Sequence, residues 1–492
     1  MLFNSYEFLF VFLPISLTVY FLLNRMRLTL ASGAWLLFAS LFFYSWWNIA
    51  YLPLILSSIL FNYTMGGLLM DYDARRKQFV SRKGIMVVGL MANMLFLGYF
   101  KYMDFFIHNV NGLFHTKFQL LNIVLPLGIS FFTITQIAFL VDSYEGLVEE
   151  RNLLNYALFV TFFPHLLAGP ILHHKEMMPQ FQRVRNKVLN SRNLYLGLAL
   201  FFLGLFKKVI LADEFSQWAV AGFDGTAPLH FFEALLATLS YTLQLYFDFS
   251  GYSDMAVGIG WMFNISLPLN FNSPYKATSV IDFWKRWHMT LAQFINSYLY
   301  APIVRAFDTV TFRKSMFAIV TAMLISGFWH GAGWTFILWG IMHGLALMIN
   351  HAWRKRKIKM PRLLAGFITF TFVNISFLLF RAKTLPAAFR LLKGLSGGNG
   401  VMLHHSLAKN TVIAKLGIVG VTFGDWLDGI GGNDWTYIMV IIGLVIVFFC
   451  RNSNEIVAAA KPNWKTFLLL IITACWSIMG MSRVSEFLYF RF

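Results

Sequence analysis

The sequence predicts an all-α, polytopic membrane protein with roughly 11 to 14 membrane-embedded helices, some of them broken or re-entrant around a central tunnel. Three observations predict this. Of 492 residues, 58% are hydrophobic and only 13% charged, about half the charge of a soluble domain. Apolar runs long enough to cross a bilayer recur over the whole length. Aromatic residues are abundant, with 54 Phe, 15 Trp and 19 Tyr. The net charge of +18 has a sufficient explanation in cytoplasmic loops facing anionic lipid, so nucleic acid is not expected as a partner. Cys450 and Cys475 lie in apolar runs, and neither a disulfide nor a metal site is expected from them.

The first helix is expected at Phe8–Leu23. The stretch before it lacks the positive charge and small-residue cleavage site of a signal peptide. Apolar runs then predict helices at Leu30–Ile49, Leu52–Leu69, Ile85–Phe106, Leu120–Val141, Leu194–Leu211 and Phe231–Phe247. Further runs follow at Phe317–Phe328, Trp334–Trp353, Leu363–Phe380, Tyr437–Cys450 and Phe467–Met481. Arg25 and Arg27 follow the first helix, and Arg75, Arg76, Lys77, Arg82 and Lys83 follow the third. The turn between the second and third has no basic residue, so odd-numbered loops are assigned to the cytoplasm and the N-terminus to the outside. The basic runs His173–Arg192 and Trp353–Arg362 are assigned to the cytoplasm as well.

Two runs do not span comfortably. Asn155–Leu172 contains Pro164, Gly169 and Pro170; Ser250–Leu267 carries Asp254 and three glycines. Both read as broken or re-entrant helices, which lipid tolerates only where protein or a water-lined cavity covers them; loops lying at the surface are the alternative. A polar stretch, residues 383–435, separates a main body, 1–382, from a final helix pair, 436–492, and is expected outside the cytoplasm.

Residues 279–351 carry the chemistry. Trp284, Trp287, His288, Leu291, Phe294, Ile295 and Tyr298 fall on one stripe at spacings of three and four, which predicts one amphipathic helix over Ser279–Tyr298. Ser279 and Asp282 begin it in the manner of a capping box, and Asp282 can pair with Arg286. His288 therefore points into protein, either as a packed histidine holding a carbonyl or as a functional one. His330 lies about sixteen residues, or roughly 24 Å of helix, beyond Lys314, so it is expected inside the bilayer at a helix end stopped by Gly331 and Gly333. A histidine at that depth usually has a task; a structural histidine at a break is the alternative. His343 sits inside the helix from Trp334 and reads either as a packing residue or as part of the site. His165 reads as structural at a broken helix, and His173, His174, His404 and His405 as solvated loop residues. Asp248, Ser250, Tyr252 and Asp254 lie near membrane depth, either lining a reaction chamber or capping a helix end. No HExxH or Cys–His cluster is present, and no metal is expected.

The motifs FWKRWH at Phe283–His288, GFWHG at Gly327–Gly331 and MHG at Met342–Gly344 resemble those of the membrane-bound O-acyltransferase family. The opening MLFNSYEFLFVFLPI, FFPHLLAGPIL, LYFDFSGYSDMAVGIG and the closing SEFLYFRF are similar to its bacterial branch that acetylates alginate and other exopolysaccharides. The resemblance implies a catalytic core over 1–382 in a bacterial inner membrane, with His330 as catalytic base and His288 as the second motif histidine. It implies an acyl-CoA donor, acetyl-CoA in particular, entering from the cytoplasm, an exopolysaccharide acceptor, and a periplasmic acetyltransferase partner. No bound cofactor is implied. His288 would then orient the base or stabilise oxyanion charge. Trp284, Trp287 and Trp329 would wall the chamber, with Asp248, Ser250, Asp254 and His343 as further lining residues, and Arg286 with Lys285 would meet the donor's phosphates. Tyr300–Ser315 departs from the alginate pattern and is nearer to the branch that passes D-alanine to teichoic acid, which remains an alternative. A transporter or flippase for a polysaccharide precursor is the alternative from another class.

Overall fold

The computed structural model describes residues 1–72, 80–461, 463–481 and 487–488. Arg75, Arg76 and Lys77, and most of the closing SEFLYFRF, lie outside them. The described chain is predominantly helical. Six of its helices are long and apolar enough to cross a membrane: Phe8–Arg25, Tyr51–Met70, Arg82–Phe114, Ser191–Asp224, Trp334–Lys355 and Arg362–Arg381. Asp434–Phe449 and Ser453–Ala459 form a further pair bent by 56°, and Thr29–Ser45, Ile129–Tyr144 and Trp464–Gly480 are shorter apolar helices.

Several expected boundaries move, each for a local reason. The run from Leu120 becomes helical only at Ile129, behind Gly128 in the left-handed region (φ +70°), where an added Cβ would meet the Leu166 carbonyl oxygen at 3.0 Å. Ser250–Leu267 is not re-entrant: one helix runs unbroken from Phe231 to Met262. Its glycines answer packing needs, since a Cβ at Gly258 would stand 2.6 Å from the Gly197 carbonyl oxygen. Asn155–Leu172 is broken, into Leu153–Thr161 and Phe163–Leu166 with Phe162 between them. The amphipathic helix expected over Ser279–Tyr298 is also broken. It consists of Val280–Trp284, a turn, Met289–Ile295 and a π-helical turn Asn296–Tyr300. The turn hinges on His288, whose backbone is left-handed at φ 42°, ψ 53°.

By contacts the chain divides into two compact units, 1–205 with 252–270 and 457–492, and 206–251 with 271–456. This division runs along different lines from the sequence blocks 1–382, 383–435 and 436–492. The first unit is held by an aromatic core in which Phe8 lies within 6.3 Å, ring to ring, of Phe3, Phe12, Phe43, Phe163 and Phe201. Polar links join its helices: the Asn62 and Asn93 amides donate to each other's oxygens at 3.1 and 2.7 Å. Such pairs act as glue where both neighbours are apolar.

In the second unit Phe312–His330 and Trp334–Lys355 form a tight hairpin. A Cβ at Gly340 would stand 2.5 Å from the Met323 carbonyl oxygen, and one at Gly327 would stand 2.4 Å from that of Phe336. Only the small residues let these backbones approach so closely. The stretch 383–435 is not a plain loop. It holds the helix Leu385–Leu395 and a parallel two-stranded pair, Val401–His404 with Val421–Gly424. Glu233, at the start of the long helix, anchors it: the backbone N–H of Gly429 donates to the Glu233 carboxylate at 2.7 Å, and the same carboxylate accepts the His230 N–H at its own helix start at 2.8 Å.

Candidate active site

His330 is the last residue of the helix Phe312–His330, where the sequence places it, and it is 5% exposed. Its imidazole is boxed in by rings. Trp329 lies 4.9 Å away, Trp339 5.1 Å and Phe380 5.1 Å, the last two nearly perpendicular. Trp339 comes from the other arm of the hairpin and Phe380 from the helix Arg362–Arg381.

Trp339 leads on to His343, one turn further along its helix, at 4.7 Å between ring centres. His343 is wholly buried. The Trp284 indole N–H donates to its Nδ1 at 3.2 Å. That leaves Nδ1 as acceptor, so in the neutral ring Nε2 carries the hydrogen and donates to Ser376 Oγ at 3.0 Å. Ser376 in turn donates to the Val373 carbonyl at 2.7 Å. The chain Trp284–His343–Ser376–Val373 fixes the tautomer and leaves neither ring nitrogen for a substrate, so the packing role is the one its surroundings support.

His288 is 1% exposed. The face of its environment is aromatic too, with Phe249 at 4.8 Å and Phe271 at 6.4 Å. Trp287 packs on Phe271, which it shares with His288, and on Phe377, each at 5.0 Å. Arg286 pairs with Asp282 at 2.9 Å, as the i, i+4 spacing predicts, and remains about one-third exposed. Trp284 has a second duty: it lines a cavity of about 440 Å³ together with Ile295, Met316, Met323, Leu347 and His351. These are mostly apolar side chains, suited to an acyl chain or a lipid tail.

Asp248 and Ser250 are buried and face two lysines. Lys208 Nζ lies 2.6 Å from Asp248 and 3.0 Å from Asp213, and Lys207 donates to Ser250 at 3.5 Å and to Ser453 at 2.8 Å. A carboxylate at that depth requires such a partner. The lysines arrive on a π-helical turn, Lys207–Ala212, a distortion frequent at functional sites. Asp254 is buried as well, but it belongs to the other unit.

All of these except Asp254 lie in the second unit: ring contacts and hydrogen bonds join His330 with Trp329, Trp339, His343 and Trp284, whereas His288 packs on Phe249 and Phe271 and Asp248 and Ser250 meet the two lysines. Sequence reasoning did not single out Trp339, Ser376, Phe380 or Lys208 for the site. Ser376 and Lys208 carried a usable signal, since each is a polar group inside an apolar helix. Phe380 carried none.

Residues 116–383 match the family model described as MBOAT, membrane-bound O-acyltransferase family. The chain belongs to the membrane-bound O-acyltransferase family. It is a multi-pass membrane protein and an acyltransferase, and the matched span takes in every histidine of the site. Among curated proteins of the family, the chain is 42% identical to a peptidoglycan O-acetyltransferase of Helicobacter pylori, over 100% of this chain and 98% of that protein. It is 38% identical to a probable alginate O-acetylase AlgI of Azotobacter vinelandii, over 80% of this chain and 77% of the other. A teichoic acid D-alanyltransferase of Streptococcus thermophilus is 30% identical over 52% of this chain and 68% of its own length.

Proposed function

We propose that this enzyme moves an acetyl group from a cytoplasmic thioester, acetyl-CoA or a carrier of the same chemistry, to a hydroxyl of a glycan outside the bacterial inner membrane. The observation that carries the reading is the placement of His330: a buried imidazole at a helix end, walled by Trp329, Trp339 and Phe380. A neutral imidazole there takes the proton of the acceptor hydroxyl as its oxygen attacks the thioester carbonyl. The C–O bond forms, the C–S bond breaks, and the proton passes to the departing thiolate. His288, supplied by a separate turn, orients the base or meets the developing oxyanion. The aromatic walls keep out water, which would otherwise hydrolyse the thioester. Arg286, one-third exposed, is the residue for the donor's phosphates.

The end-to-end likeness to a peptidoglycan O-acetyltransferase favours a peptidoglycan sugar hydroxyl as acceptor over alginate, with a periplasmic partner enzyme as the alternative immediate recipient. D-alanyl transfer is disfavoured, because that likeness covers only about half of the chain. The test is His330→Ala expressed at normal level in the membrane. Base-labile acetate on isolated peptidoglycan should fall at least ~100-fold, the lower end of what a general base contributes. Undiminished acetate would remove His330 from the chemistry; acetate lost from a different polymer would keep the enzyme and change the acceptor.

A further inference from the structure

A cluster outside the acyl-transfer residues has no part in the reaction above. Asp142, His173 and His174 stand together in the first unit. Each presents one ligand atom, and the three atoms lie within 4.8 Å of one another. Asp142 is 3% exposed and His174 5%, and the His173 side chain 26%, so His174 is not the solvated loop residue expected and His173 is only partly so.

The local fold explains the convergence. Asp142 sits in the last turn of the helix Ile129–Tyr144. That helix ends in a Schellman turn: Gly146 is left-handed (φ +74°), the Leu147 N–H donates to the Asp142 carbonyl at 2.8 Å, and the Gly146 N–H to that of Ser143 at 3.4 Å. The turn swings the Leu147 carbonyl over His174, whose Nε2 lies 3.4 Å from it. His173 is extended (φ −97°, ψ 136°) and His174 opens the helix His174–Gln182, so two successive side chains reach the same carboxylate.

The distances are informative. His174 Nδ1 is 3.0 Å from Asp142 Oδ2, and His173 Nε2 is 3.5 Å from the same oxygen. With Nε2–H of His174 turned to the Leu147 carbonyl, Nδ1 offers a lone pair toward a carboxylate oxygen that also offers one. Such a meeting is reconciled by a metal ion between the two or by a second proton on the imidazole. Two ligand atoms each about 2.1 Å from a tetrahedral ion stand about 3.4 Å apart; His173 and Asp142 match this at 3.5 Å, and His174 and Asp142 stand closer, at 3.0 Å. A carbonyl accepting from the far nitrogen is also the support that metal-binding histidines ordinarily have.

We propose that Asp142, His173 and His174 bind one divalent transition-metal ion of the zinc class, through two imidazole nitrogens and a carboxylate oxygen, with water completing the shell. Oxygen-only ions such as Mg²⁺ are excluded by the two nitrogen donors. The ion clamps the end of Ile129–Tyr144 to the start of His174–Gln182.

The experiment uses the full chain in detergent micelles, stripped with a chelator, dialysed, and titrated with Zn²⁺ by calorimetry and with Co²⁺ by visible absorption. Wild type should take up one ion per chain, with the ligand-field bands of a low-symmetry Co²⁺ site. Asp142→Asn and His174→Ala should bind at least ~10-fold more weakly. Because both positions are buried and these variants are at risk of misfolding, the decision rests on His173, whose side chain is 26% exposed. His173→Ala, eluting as a single monodisperse peak, should lose at least ~10-fold in affinity, and His173→Cys should restore binding through its thiolate. A His404→Ala/His405→Ala double variant should bind as wild type. Absence of uptake by wild type, or unchanged affinity in His173→Ala, would overturn the site and leave a proton-bridged histidine–carboxylate contact.

Discussion

At the scale of single residues, the chain Trp284–His343–Ser376 is the most constrained feature near His330. Trp284 gives it one polar bond, and His343 and Ser376 make two each. Trp284→Phe removes the N–H together with the pyrrole half of the indole, leaving Nδ1 of His343 buried without a donor, at a cost of about 1–3 kcal/mol before the lost packing is added. Ser376→Ala strands the Nε2–H instead and costs a similar amount. The double variant should lose less than the sum of the two, because residues in one network couple. Thermal midpoints of the purified protein, followed by loss of the monodisperse peak on heating, measure this; strict additivity would mean that the three side chains do not act as a unit. At this scale the sequence was a fair guide to identity and a poor one to partnership. His330 was legible from the distance between Lys314 and Gly331, which fixes both depth and helix end. That Trp284 would hold His343 was not, since the two are fifty-nine residues apart and neither spacing nor pattern links them. The same holds for Asp142 with His173 and His174. The adjacent histidines looked like loop residues because the carboxylate that buries them comes from another helix.

At the scale of elements, the hairpin Phe312–His330 with Trp334–Lys355 sets where His330 lies. Gly340→Ala places a methyl 2.5 Å from the Met323 carbonyl oxygen, closer than the backbone can concede, so the helices must part and the ring box around His330 must open. Acetyl transfer should drop at least ~10-fold even in protein that still purifies intact, as misplacement by about 1 Å costs up to 100-fold. Gly112→Ala is the matching control. It lies within the helix Met103–Phe114 with nothing within 4 Å of the added carbon, and should be neutral or stabilising by about 0.4–1 kcal/mol. Equal behaviour of the two variants would show that close helix approach does not govern the site. Long helices were legible because an apolar run of bilayer length has few other fates. Phe8–Arg25, Tyr51–Met70 and Arg362–Arg381 stand within a few residues of their expected ends. Two polar or interrupted stretches misled in opposite directions. Ser250–Leu267 looked broken and is continuous to Met262, because its glycines serve close packing against Gly197. Ser279–Tyr298 looked continuous, because its apolar stripe is regular, and yet it breaks at His288.

At the scale of the whole molecule, charge distribution is the remaining guide to orientation. It assigns the basic run Trp353–Arg362 to the cytoplasm and residues 383–435 to the opposite side. In a background lacking Cys450 and Cys475, both of which are exposed, an impermeant maleimide added to spheroplasts should label Ile418→Cys and spare Lys357→Cys until the membrane is opened. Ile418 is 86% exposed and Lys357 is exposed as well, so access is decided by sidedness alone. The reverse pattern would invert the assigned topology. The anchoring of 383–435 through Glu233 has a practical corollary. The clamp holds that excursion at Gly429, while residues 414–418 are exposed. A foreign sequence grafted between those residues would hang from a moored stem, so a reporter tag can be carried there with the helices beneath it left as they are.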